Sequence, residues 1–143
     1  MTLYNRYTVV GCKITITAAP NNPDGGDNNL IFGIAMRNST GTITSNLVDY
    51  TEGRTVRSRM LSNGLSTEAR TMTMNMNVGK YLTVSKILSN EKLGAKEGYD
   101  PETQAFFVVY SAAPTAAANE KIQFFVNLEF TAVFTKPKVL PLS

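Results

Sequence analysis

Arg57 and Arg59 alternate along Thr55-Val56-Arg57-Ser58-Arg59-Met60-Leu61, a spacing that sends two guanidinium groups to one side of an extended chain. Arg54 precedes them, and Arg6 and Lys13, interleaved with Tyr4 and Tyr7, make a second basic and aromatic stretch near the start. Such a surface can follow a phosphate backbone and stack bases without reading sequence. Ordinary strand-face arginines give the same pattern, so both readings stay open. Asp24 and Asp27 flank two glycines as a calcium loop would, but the later ligands and the closing glutamate are missing. Glu97, Asp100 and Glu102 have the types needed for acid/base glycoside chemistry, yet on an acidic loop they read as solvated surface. Asn38-Ser39-Thr40 fits the glycosylation tripeptide, a signal that means something only in a secreted protein.

The chain has no histidine, which removes Ser-His-Asp triads, Cys-His dyads and His-liganded metals at once. No phosphate loop, dinucleotide fingerprint or metal-spaced carboxylate set is present, so neither enzyme activity nor a cofactor or metal is expected. The single cysteine, Cys12, cannot form an internal disulfide and reads as buried rather than reactive.

These residues must be positioned by strands. The 143 residues suit one domain, and 43% hydrophobic against 17% charged residues predicts a well-filled core. No apolar run approaches the roughly 20 residues that cross a bilayer, so membrane insertion is not expected. The net charge of +3 permits contact with a polyanion without demanding it. Its distribution is uneven: Arg54, Arg57, Arg59, Arg70, Lys80 and Lys86 precede a segment carrying Glu91, Glu97, Asp100 and Glu102. Head-to-tail packing between copies would use such a bipolar surface.

Period-two alternation predicts strands over residues 7–18, 55–61, 70–78 and 121–135. In the first, Val10, Cys12, Ile14 and Ile16 share a face. In the second, Arg57 and Arg59 form a basic outer face. In the third, Met72, Met74, Met76 and Val78 form a stripe read as flexible core filler. The fourth carries Ile122, Phe124, Val126, Leu128, Phe130, Ala132 and Phe134 on one face, and its length places it at the centre of a sheet. Leu30 to Arg37 and Gln104 to Ala112 read as strands buried on both faces, with Gly33 marking a bulge or a close backbone approach. Lys80 to Leu88 reads as a continuation of the sheet. Pro20 to Asn29, Asn38 to Gly53, Ser89 to Thr103 and Ala113 to Asn119 read as loops. Strands joined by long loops, with no convincing helix, predict an all-β sandwich, and the loop lengths favour a jelly roll.

The run Tyr4-Asn5-Arg6-Tyr7-Thr8-Val9-Val10-Gly11-Cys12-Lys13-Ile14-Thr15-Ile16 resembles a strand of circovirus-like capsid proteins from small circular single-stranded DNA viruses. Phe130 to Leu140 resembles the closing strand and Pro-Lys tail of the same proteins, and Lys80 to Lys86 falls where they carry an aromatic and a lysine. The resemblance implies a single jelly roll over residues 1–143, with strands lettered B to I. Residues 7–18, 30–37, 55–61, 70–78, 104–112 and 121–135 take the letters C, D, E, F, H and I, leaving G unassigned. It also implies an arginine-rich arm and a strand B upstream of this chain.

The expected function is that of a self-assembling capsid subunit, in a T=1 icosahedral shell of about 60 copies, enclosing circular single-stranded DNA. Its localisation would be the virion, and the host nucleus or cytoplasm during assembly. A host receptor is an expected partner of unknown identity. Arg6, Lys13, Arg54, Arg57 and Arg59 are the expected nucleic-acid contacts, beside the upstream arm. Ala113, Pro114, Ala116, Ala117, Ala118 and Asn119, whose small side chains permit close packing, are the expected subunit-interface loop. The alternative is a carbohydrate-binding or adhesin-type β-sandwich, suggested by the Asn- and Gly-rich loops.

Overall fold

The computed structural model describes residues 3–20, 30–38, 55–61, 69–96, 98–112 and 122–138. Among these residues there are seven strands: β1 (Tyr4–Pro20), β2 (Leu30–Arg37), β3 (Val56–Leu61), β4 (Arg70–Asn77), β5 (Gly94–Lys96), β6 (Phe106–Ala112) and β7 (Ile122–Pro137). They form two sheets. One has the order β3-β2-β6, and in the other β4, β5 and β7 all pair with β1.

Antiparallel registers follow from the contacts. Leu30 lies opposite Leu61 and Ala35 opposite Val56, while Gly33 lies opposite Tyr110. The Thr15 and Thr73 hydroxyls meet at 3.2 Å and those of Thr17 and Thr71 at 3.0 Å, so β1 and β4 run in opposite directions. Lys13 meets Glu129 and Gly11 lies beside Thr131, which gives the same result for β1 and β7. A Cβ on Gly11 would stand 3.5 Å from the Met76 carbonyl and 3.8 Å from Thr131, so β1 runs between β4 and β7.

The chain packs as two compact units. The unit of Ile14–Met74 and Phe106–Leu128 is a sandwich whose core joins Ile14, Ile16 and Ala18 of β1, Leu30, Phe32 and Ile34 of β2, Leu61, Met72 and Met74. The methionines fill the core at strand spacing, as their alternation predicts. On the outer face of the β3-β2-β6 sheet, Ala35 and Tyr110 are buried together, with Val56 and Val108 packed against them. Gly33 makes this possible: a Cβ there would run into the Tyr110 ring and the Arg57 carbonyl. The predicted close approach is therefore a tyrosine laid across a glycine.

The unit of Met1–Lys13, Asn75–Ala105 and Glu129–Ser143 holds β5, which pairs with β1 from Arg6 opposite Lys96 to Thr8 opposite Gly94. Residues 80–88 do not extend the sheet. Asn77 instead caps a helical turn, α1 (Val78–Tyr81), its Oδ1 accepting from the Lys80 N–H at 2.9 Å. Two 3-10 turns follow, Ile87–Ser89 and Glu91–Leu93.

Candidate functional site

The register places Arg57 opposite Ile34 and Arg59 opposite Phe32, so both arginines leave β3 on its core-facing side. The basic outer face expected of this strand is reversed. Val56, Ser58 and Met60 occupy the outer face, and Met60 is 60% exposed. Alternation separates two faces without saying which is inward, and arginine tolerates the inner face here because β3 ends its sheet among the described residues. A long stem can cross the rim of the core and leave its head in water.

Arg57 Nη1 donates to the Thr73 carbonyl at 3.0 Å, and Arg59 Nη1 donates to the Thr71 carbonyl at 3.2 Å. Both acceptors belong to β4. Thr71 and Thr73 meet β1 through close side-chain hydroxyls, the mark of non-hydrogen-bonded ladder positions. Their carbonyls therefore turn away from β1, where the arginines take them up. Each guanidinium has five N–H donors, so one bond leaves others for a second acceptor such as a phosphate oxygen. Among the described residues of this unit every charged side chain is an arginine: Arg37, Arg57, Arg59 and Arg70.

Arg6 and Lys13 are not brought together, because they leave β1 on opposite faces. Arg6 Nη2 donates to the Asn90 carbonyl at 3.1 Å, and its guanidinium lies where a side chain on Gly94 would be. Its buried Nε has no hydrogen-bond partner, nor has the Thr8 hydroxyl. Lys13 Nζ donates to Glu129 Oε1 at 2.9 Å, with both side chains about half exposed, so the pair contributes little. Arg54, the 113–119 loop, Asp24, Asp27 and Glu97 lie outside the described residues. Asp100 is exposed, and Glu102 pairs with Lys92 at 3.1 Å on the surface. Among the described residues no group of three His, Cys, Asp or Glu side chains is placed to hold a metal ion. Cys12 is half-buried, and desolvation raises its thiol pKa.

Sequence reasoning missed the condition of β7. Ile122 and Phe124 pack on the core, with the Phe124 ring 6.3 Å from that of Phe32. Further along the same face Val126 is 50% exposed, Leu128 47%, Phe130 65% and Phe134 59%, and Phe125 on the other face is 59% exposed. Among the described residues β7 pairs with β1 alone. No sequence signal distinguishes these cases, because an apolar stripe looks the same covered or bare.

No protein-family model matches the chain, and no curated protein matches it. No helix among the described residues is long and apolar enough to cross a membrane.

Proposed function

We propose that the chain is a capsid subunit, a jelly roll that assembles with copies of itself into a small icosahedral shell around circular single-stranded DNA. The order of the strands is the observation that carries this reading. In a jelly roll the chain winds as two Greek keys, so that strands B, I, D and G share one sheet and C, H, E and F the other. The pairings of β1 with β7 and β4, and of β2 with β6 and β3, match I-D-G and H-E-F. Lettering β1 as C would put β2 and β3 in opposite sheets as D and E, whereas they pair from Leu30 opposite Leu61 to Ala35 opposite Val56. Counting from D instead assigns β4 to G and leaves both B and C to the upstream sequence, with β5 an added short strand beside β1.

On this reading the protein's work is assembly, not catalysis. Arg57 and Arg59 are the residues best placed to take phosphate oxygens, since β4 already holds their guanidinium groups in position. A net charge of +3 neutralises little of a genome, so most of that task falls to the basic arm implied upstream.

Electron microscopy of the protein expressed with its native upstream sequence tests the reading, with the nucleic-acid to protein absorbance ratio taken on the same fraction. Uniform closed shells with excess nucleic-acid absorbance are expected. A protein that forms no shells at any salt concentration would overturn it.

A further inference from the structure

Two buried polar atoms in the unit that holds β5 have no hydrogen-bond partner, the Nε of Arg6 and the hydroxyl of Thr8. Such orphans are rare, because a buried donor without an acceptor loses the bonds it made in water. Both residues lie on one face of β1, two positions apart, and Thr8 is only 1% exposed. Across the ladder Arg6 stands opposite Lys96 and Thr8 opposite Gly94, so all four positions share that face. Gly94 has no side chain, and the Arg6 guanidinium takes the room: a Cβ there would run into Nε, Nη2 and Cζ. Nε therefore sits across from Thr8, where facing Cβ positions are about 4.5–5.5 Å apart. Two hydrogen bonds of about 3 Å each, meeting at one shared acceptor, span such a gap.

We propose that the Arg6 Nε–H and the Thr8 O–H hold a single small anion the size of chloride, with the Lys96 ammonium adding its charge from across the ladder. Charge decides between an anion and a water molecule. A water would satisfy both hydrogen bonds and leave the partly buried guanidinium facing a like charge. Arg6 is otherwise held by one neutral acceptor, the Asn90 carbonyl at 3.1 Å. The acidic side chains among the described residues of this unit are Glu91, Asp100, Glu102 and Glu129. Glu102 pairs with Lys92 and Glu129 with Lys13, and none of the four forms an ion pair with Arg6 or Lys96. Size decides between anions. Both donor atoms are closed off from solvent, and the several oxygens of a phosphate or sulfate exceed the span of two hydrogen bonds.

The site also explains how the turns before β5 are held. Arg6 joins β1 to Asn90, whose own Oδ1 accepts from the Lys92 N–H at 3.0 Å and caps the turn Glu91–Leu93. An anion behind Arg6 keeps the guanidinium over Gly94, and so fixes the passage from those turns into β5.

The inference stands apart from the shell reading, since the site lies inside one unit of one copy. Chloride-dependent melting in a chain that forms no shells would keep it and remove the capsid proposal, whereas shells indifferent to chloride would do the opposite. The test is the melting temperature of the full chain in chloride against gluconate at equal ionic strength, for the parent and for Thr8→Val. The expected result is a parent that melts roughly 4 °C higher in chloride, as for a ligand at about tenfold its dissociation constant. Thr8→Val should lose that shift and melt in gluconate no lower than the parent, because it removes an unpartnered hydroxyl with little change of shape. Bromide soaked into crystals of the parent gives a readout free of variants, an anomalous peak between Arg6 Nε and Thr8 Oγ1. Equal melting in both salts, a chloride shift that Thr8→Val retains, or a water or a direct Arg6–Thr8 bond in place of bromide would overturn the proposal.

Discussion

Among the described residues the β3–β4 flank of the sandwich and the β6–β7 flank each end in strands with one unpaired edge, and they treat that edge in opposite ways. On the first, Arg57 and Arg59 reach from one sheet to the carbonyls of the other, and the unpaired acceptors of β4 are satisfied within the chain. On the second, β6 and β7 end their sheets with apolar side chains and no comparable polar closure among the described residues. The difference teaches that period-two alternation produces both a finished edge and an unfinished one. What separates them is whether long polar side chains stand on the core-facing side of the last strand. Inward arginines exclude a further strand from β4, and the bare stripe of β7 invites one.

The largest effect should come from dividing β7 into its packed and its uncovered parts. At concentrations where the chain is monomeric, Phe124→Ala should cost about 3 kcal/mol, as expected for a core aromatic. Phe130→Ala should cost less than about 0.5 kcal/mol, as for a surface site. Urea titration of both variants checks the contrast, and equal losses would abolish it. Gly33→Ala should come next, at about 1–3 kcal/mol, because the new methyl has to displace the Tyr110 ring on β6 and the Arg57 carbonyl on β3. A double-mutant cycle with Tyr110→Ala should recover part of that loss and so apportion it between the two sides. The smallest effect belongs to the latch. Arg57→Ala with Arg59→Ala should lower stability by about 1–2 kcal/mol, near the net value of two hydrogen bonds. The double variant should also associate through β4 in light scattering, and a variant as soluble as the parent would show that the latch does not guard that edge.

Much of this architecture is legible in the residues. Leu30–Arg37 is a strand with the predicted bounds because its apolar run is closed by a loop signal at one end and Arg37-Asn38 at the other. The methionine stripe of β4 sits in the core because alternation and hydrophobicity agree there. Two readings failed for physical reasons. The faces of β3 were exchanged because arginine can lie inward at a sheet margin, where its stem is apolar and its head escapes. Residues 80–88 were read as strand because their apolar content outweighed Asn77, whose side chain caps the turn of α1. Of the candidate contacts, Arg57 and Arg59 do share one flank, while Arg6 and Lys13 are separated by their opposite parity on β1.

The pairing of the first long strand with the last has a consequence in time. Lys13 and Glu129 are 116 residues apart in the chain, so β1 cannot gain its β7 neighbour until that many further residues have been made. At synthesis rates of about 5–20 residues per second, that wait lasts roughly ten seconds. Closing so long a loop also slows the refolding of a complete chain, since its entropy must be lost before the strand contacts repay it. The nascent protein thus spends a long interval with the β7-facing edge of β1 unpaired. Its yield will be set by how fast new chains appear relative to how fast each one closes, so slow expression in the cold should favour intact molecules over aggregates.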